Sequence, residues 1–149
     1  MARTSSDILI EATPAEIMAV IGDFPAYPEW ATGMRSADVT EDGADGRALR
    51  VRFVLDATPI RDEYELSYIW DGDHQVSWSL VPGTGSMLKA MDGTYILDAV
   101  DAASTRVTYQ LSVDVSIPLL GMLKRKAEKV IIDTALKGLK KRVDSLGAA

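Results

Sequence analysis

The sequence predicts an α+β fold: a curved antiparallel sheet of about seven strands wrapped around one long C-terminal helix, with two short helices after the first strand. Three observations predict it. Five segments between residues 36 and 116 alternate apolar and polar residues, so each has one buried and one wet face. No helical pattern interrupts them, which excludes parallel crossover units. Residues 119–146 carry apolar residues at a spacing of three and four, which is one stripe of a helix.

Taken in order, residues 6–11 alternate weakly and read as the first strand. Thr13-Pro14-Ala15-Glu16 follows: Thr13 caps a helix, Pro14 suits its first position, and Glu16 reaches back to close a capping box. That helix runs through Ile17, Met18, Val20 and Ile21 and stops near Gly22-Asp23. Phe24-Pro25-Ala26-Tyr27-Pro28-Glu29-Trp30 carries two prolines and reads as a short second helix or turn. Strands are then expected at 36–41, 47–56, 60–70, 75–81, 87–100 and 105–116. In the third of the chain's strands Leu49, Val51, Phe53 and Leu55 share a face opposite Arg50 and Arg52. In the fourth, Tyr64, Leu66, Tyr68 and Trp70 share one. The next three turn Val76, Trp78 and Leu80, then Met91, Tyr95 and Leu97, then Val107, Tyr109, Leu111, Val113 and Val115 inward.

The long helix is expected to turn Leu120, Leu123, Ala127, Val130, Ile131, Thr134, Ala135, Leu139, Val143 and Leu146 to the sheet. Its other face carries Lys124, Arg125, Lys126, Lys129, Lys137, Lys140, Lys141 and Arg142. A one-stripe helix is not stable alone and needs a sheet to lie on. A curled sheet gripping a helix leaves room for a cavity between them.

Length and composition bound the function. The 149 residues fit a single domain spanning 1–149. No apolar run approaches the roughly 20 residues needed to cross a bilayer, and the N-terminus shows no signal-peptide pattern. The absence of cysteine removes disulfides and thiol chemistry and suits a reducing cytoplasm, so a cytoplasmic protein is expected. The one histidine, His74, sits in a turn and leaves a histidine metal site or a Ser-His-Asp triad without parts. The net charge of −6 is uneven. Residues 118–149 hold eight basic and three acidic side chains, a balance of +5, against −11 for the rest. Such an acidic body disfavours nucleic acid. The basic stretch reads either as a solvated helix face or as a stripe for anionic lipid.

The element order, Ala12-Thr13-Pro14-Ala15-Glu16-Ile17, Asp23-Phe24-Pro25-Ala26-Tyr27-Pro28-Glu29-Trp30, and Ile117-Pro118-Leu119-Leu120-Gly121 leading into the long helix resemble the START-like (helix-grip, SRPBCC) superfamily. Within it the chain is most similar to actinobacterial polyketide cyclase/dehydrase-like and coenzyme Q-binding-like proteins. The resemblance implies an apolar cavity that takes a lipid, sterol, polyketide or quinone.

The expected ligand-binding residues are Trp30, Phe53, Tyr64, Tyr68, Trp78, Met91, Tyr95, Tyr109, Leu123, Ala127 and Ile131. Plain core packing accounts for many of these aromatics, but inward tyrosines each want a hydrogen-bond partner, which a cavity supplies. The resemblance also brings an aromatase/cyclase or dehydratase alternative, for which an interior arginine is expected. Strand parity turns Arg50, Arg52 and Arg106 outward and leaves Arg47 at a strand end. Asp62 shares the parity of Tyr64 and reads either as an inward carboxylate with a raised pKa or as a strand-end aspartate facing water. No catalytic residue, metal or cofactor is assigned. The apolar run at Leu119, Leu120 and Met122 beside Lys124, Arg125 and Lys126 reads either as core beneath the helix or as a lip for transient membrane contact.

Overall fold

The structure, a computed structural model, describes residues 4–57, 60–116 and 121–147, with side chains described for 4–56, 61–116 and 124–146. The elements run β1 (Thr4–Ile10), α1 (Pro14–Gly22), a 3-10 turn (Phe24–Ala26), α2 (Tyr27–Trp30), β2 (Met34–Asp42), β3 (Ala48–Ala57), β4 (Ile60–Asp71), β5 (Gln75–Leu80), β6 (Leu88–Asp101), β7 (Ser104–Val115) and α3 (Gly121–Gly147). This is the expected order: seven antiparallel strands in one curved sheet and a long terminal helix.

The start of α1 follows from its first residues. The Thr13 hydroxyl accepts from the Glu16 N–H at 3.2 Å, and the Glu16 carboxylate accepts from the Thr13 N–H at 3.2 Å. Two of the helix's otherwise orphaned donors are thereby satisfied.

The sheet order is β1-β7-β6-β5-β4-β3-β2. Strands β2 to β7 form a meander, and β1 closes onto β7 rather than β2, with Thr4 opposite Leu111 and Ile10 opposite Thr105. The two sheet edges are thus consecutive in sequence, and the segment joining them carries α1 and α2. Register shifts in β2 and β6 add bends of the kind that curl a sheet.

The concave face carries the core: Ile10, Val51, Phe53, Val76, Leu97, Val107 and Leu111 are buried, and α1 adds Ile17, Met18 and Ile21. The outer face is polar and paired. Arg50 meets Glu41 at 3.8 Å, Arg52 meets Glu63 at 3.6 Å and Arg106 meets Asp7 at 3.6 Å. Arg47 stands over the Trp70 ring at 5.1 Å and reaches Asp73 at 2.6 Å.

The rotation of α3 corrects the sequence expectation. Its buried row is Glu128, Ile132, Leu136, Leu139 and Val143. Ala127 and Ile131, expected inward, are exposed, as are Val130, Thr134 and Leu146. The cause is Glu128, a charged side chain that apolar periodicity counts as solvent-facing. Its carboxylate accepts from the Thr4 hydroxyl at 2.6 Å and from the Val113 N–H at 2.7 Å, and Lys124 stands 3.9 Å away. Val113 lies two residues beyond the Leu111–Thr4 pair, and the helix carboxylate takes its N–H. Two charge-assisted bonds and an ion pair offset the burial of the carboxylate. They fix which side of α3 faces the sheet.

Candidate functional site

The concave face carries a wall of aromatic rings built from several adjacent strands. Phe53 on β3, Tyr64 and Tyr68 on β4, Trp78 on β5, Tyr95 on β6 and Tyr109 on β7 point inward because each holds the inward parity of its strand. Register then sets their neighbours: Phe53 lies opposite Tyr64, Tyr68 opposite Trp78, and Tyr95 opposite Tyr109. Ring centroids are 5.6 Å apart for Phe53–Tyr64, 5.8 Å for Tyr68–Trp78, 5.3 Å for Trp78–Tyr95 and 4.6 Å for Tyr95–Tyr109. These are the offset and edge-on separations that aromatic quadrupoles favour. Phe24, from the turn after α1, closes one side at 5.0 Å from Tyr68.

One glycine makes the wall possible. Gly93 on β6 faces Trp78 across the strands, and a Cβ there would sit 2.3 Å from Trp78 Cε2 and Cζ2. The indole lies flat over bare backbone. A lone glycine inside a strand pattern is the sequence signal for such an approach.

The hydroxyls matter as much as the rings. Tyr27 donates to the Ile21 carbonyl. Among the described residues, those of Tyr64, Tyr68, Tyr95 and Tyr109 meet no hydrogen-bond partner. A side-chain polar atom that is both sealed and unpartnered occurs, among the described residues, only at Trp30 Nε1. The four phenol oxygens are therefore unsealed and open onto space that water can reach. The exposures agree: Tyr64, Tyr68, Tyr95 and Tyr109 keep 4–7%, against 0% for Phe24 and 2% for Phe53 behind them.

Burial pushes the phenol pKa of all four above its ordinary 10.0; the Asp62 carboxylate adds to it for Tyr64, and neighbouring tyrosines add to it for Tyr68, Tyr95 and Tyr109. Ionising Tyr68 is opposed by Tyr27, Tyr64, Tyr109 and Tyr95, and ionising Tyr109 by Tyr95 and Tyr64. Tyr27 is pushed up too, first by burial and then by Tyr109 and Asp23.

The remaining expected residues fall elsewhere. Met91 is half-buried on β6, opposite Val113. Trp30 is half-buried between α2 and α3, its ring 5.0 Å from Tyr27, and a Cβ on Gly138 would meet the Trp30 ring at 3.6 Å. A surface cleft flanks Trp30 on each side. One, of about 340 Å³, touches Gly33, Arg35 and Asp56; the other, of about 330 Å³, lies among Glu16, Asp23, Arg142 and Leu146. Ala127 and Ile131 are exposed on the α3 flank that further along carries Gly138 against Trp30. The side chain of Leu123 lies outside the described residues, as do Leu119, Leu120 and the side chain of Met122. Lys124 pairs with Asp114 at 3.2 Å, while Arg125 and Lys126 are exposed.

Asp62 matches the inward expectation in its burial but not in the direction of its pKa. It is buried, with its carboxylate turned to the loop before β6 rather than to water. It accepts from the N–H of Ser86, Met87 and Leu88 and from the Ser86 hydroxyl, all between 2.8 and 2.9 Å. Burial alone would raise its pKa, but these donors outweigh burial and lower it below 3.8. Asp62 is a clasp for the β5–β6 loop. Glu128 is the other buried carboxylate among the described residues, and nothing in the sequence signalled it. Among the described residues no cluster of three or more histidine or carboxylate side chains can hold a metal ion.

Comparison with known proteins agrees with this architecture. Residues 10–140 match the family described as polyketide cyclase / dehydrase and lipid transport. The chain belongs to that family. A START superfamily protein from Mycobacterium smegmatis superposes with a TM-score of 0.90 at 20% identity, over 98% of this chain and 99% of that one. The Zhui aromatase/cyclase from Streptomyces sp. R1128 gives 0.78 at 12% identity, over 95% and 93%. The di-domain aromatase/cyclase BexL of the BE-7585A biosynthetic pathway gives 0.75 at 21% identity, over 97% of this chain and 47% of that one. At these identities the likeness is one of fold. A search of curated proteins finds no match. Among the described residues, no helix of this family member is long and apolar enough to cross a membrane.

Proposed function

We propose that the protein binds a hydrophobic small molecule, of lipid, quinone or polyketide type, between the aromatic wall and α3, and does no covalent chemistry on it. The observation that carries this reading is the unsealed aromatic wall. Large rings on adjacent strands face inward, and α3 makes its close packing against β1 and β7 at one side of the sheet. A cavity walled by rings with a few placed polar groups is the common form of a small-molecule site. The family description, which covers both cyclisation and lipid transport, supports the same class of ligand.

An aromatase/cyclase or dehydratase activity is the second reading, favoured by the likeness to Zhui and BexL. Against it stands the charge inventory. Arg50, Arg52 and Arg106 are paired on the outer face, and among the described residues no arginine, lysine or histidine is buried. Burial raises the pKa of the wall phenols, which keeps them protonated and suits them to donate hydrogen bonds rather than to act as bases.

Native mass spectrometry of the purified protein, followed by extraction of whatever is bound, tests the proposal. A stoichiometric apolar molecule is the expected result. A protein that stays empty after exposure to a mixed lipid and quinone extract overturns it.

A further inference from the structure

The long helix carries more apolar side chains than the sheet covers. Its buried row is Glu128, Ile132, Leu136, Leu139 and Val143. A second, largely apolar row, Ala127, Val130, Ile131 and Thr134, repeats at three and four residues and so lies along one side of α3. All four are exposed. Val130 keeps 58% of its surface and Ile131 38%. Single exposed apolar residues are ordinary, but neighbours on successive turns make a patch.

The charges beside the patch are of one sign. At 3.6 residues per turn, the side of α3 opposite Ile132 carries Lys126, Lys137 and Lys141, with Val130 and Thr134 among them. Those three lysines and Arg125 meet no carboxylate within 4.0 Å among the described residues. The acids of the helix are already paired: Glu128 with Thr4 and Val113, Asp133 with Lys129 at 3.0 Å, and Asp144 with Lys140 at 3.6 Å. The rest of the chain is acidic. In physiological salt, however, a charge is felt over only about 8–10 Å, roughly the thickness of the helix itself. A surface approaching α3 from outside therefore meets cations first.

An apolar centre edged by free lysines fits one partner best. Phosphates alone, as on a nucleic acid, leave Val130 and Ile131 facing water. An uncharged apolar partner leaves the lysines without counter-ions. A bilayer containing anionic lipid satisfies both: the apolar side chains enter the headgroup boundary, while the lysine stems lie along it and carry their ammonium groups to the phosphates. We infer that the outer side of α3, from Lys126 to Lys141, is a docking surface for anionic lipid bilayers. The patch is small and the cations few, so the contact is reversible. It does not depend on whether the cavity holds a ligand.

Vesicle flotation of the full chain tests this, with vesicles of phosphatidylcholine alone and of phosphatidylcholine and phosphatidylglycerol in equal parts. The protein is expected to float with the mixed vesicles at low salt, to stay behind with phosphatidylcholine alone, and to be released at high salt. The Lys126→Gln/Lys137→Gln/Lys141→Gln variant should partition about a hundredfold more weakly, and Val130→Asp about tenfold more weakly. Ile69→Asp, which alters a 75%-exposed side chain on the outer face of the sheet, should change nothing. Failure to float with the mixed vesicles overturns the inference. So does equal flotation with both vesicle types, or a loss in Ile69→Asp as large as in Val130→Asp. A dimer that forms without lipid and that Val130→Asp disperses would also overturn it, and would assign the patch to a second copy of the chain.

Discussion

Replacing Gly93 by alanine is the sharpest test of the aromatic wall, because two effects of opposite sign compete. Gly93 has no positive φ, so alanine suits its backbone. By itself the change would stabilise the protein by about 0.4–1 kcal/mol, by restricting the unfolded chain. Against that, the new Cβ would stand 2.3 Å from two Trp78 carbons, whereas carbon contacts settle at about 3.5–4.0 Å. The indole would have to move by more than about 1 Å. It has little room, with Tyr95 at 5.3 Å, Tyr109 at 5.5 Å and Tyr68 at 5.8 Å. Overpacking of this kind costs about 1–3 kcal/mol, and disturbed ring pairs add roughly 0.5–1.5 kcal/mol each. The expected net effect is a loss of about 2–3 kcal/mol, read as a lower denaturant midpoint at unchanged m-value. In a Trp78→Leu background the same Gly93→Ala change should become neutral or stabilising, a coupling of about 2 kcal/mol. A Gly93→Ala protein as stable as the original, or more so, would refute the placement of Trp78 on bare backbone.

Three further outcomes are expected. Asp62→Asn should destabilise by about 2–4 kcal/mol, because one amide oxygen cannot serve every donor that the carboxylate now accepts. Asp62 has a lowered pKa in the folded state. Its contribution is therefore present above its unfolded pKa and lost as pH falls through the folded value, so the original protein should lose more stability in acid than the asparagine variant. Parallel acid profiles would contradict this. Ile132→Ala should cost about 2–5 kcal/mol, and Ile131→Ala less than about 1 kcal/mol, measured by chemical denaturation; equal effects would overturn the rotation assigned to α3. All five tyrosines are held above 10.0 in the folded state. Phenolate absorbance should thus stay low at pH 10 and rise only with unfolding. The sign is that of a raised pKa: stability is full below 10.0 and falls as pH rises towards the folded values. Reversible titration of two or more tyrosines near pH 10 in the native protein would count against a buried cluster.

The sequence was most legible where the signal is local. Thr13, Pro14 and Glu16 sit within one helical turn, and the box they predict is formed. Period-two parity placed Phe53, Tyr68, Trp78, Tyr95 and Tyr109 inward and the three strand arginines outward, because alternation is a property of a single strand. What it missed depends on partners far along the chain. Parity left Asp62 either inward or facing water, and the lowering of its pKa comes only from the donors of the Ser86–Leu88 loop. Glu128 reads as solvent-facing until Thr4, 124 residues away, and Val113 meet it. Since that one acid sits in the buried row, misjudging it turned the helix, and Ala127 and Ile131 went to the wrong side.

Pairing β1 with β7 has a consequence for the order in which the chain can be assembled. At a ribosome adding about 5–20 residues per second, β1 emerges and then waits several seconds or more for the last strand, some hundred residues later. The meander from β2 to β7 can grow hairpin by hairpin, each step closing a short loop. The first strand can join only by one late, long closure, and the Glu128 contact with Thr4 can follow only once α3 has been made. Until then an unpaired strand with Ile8 and Ile10 uncovered is open to pairing with a neighbouring chain. Loss of the Thr4–Glu128 clasp would then show as a lower yield of folded protein at synthesis, beyond what the finished molecule's stability predicts.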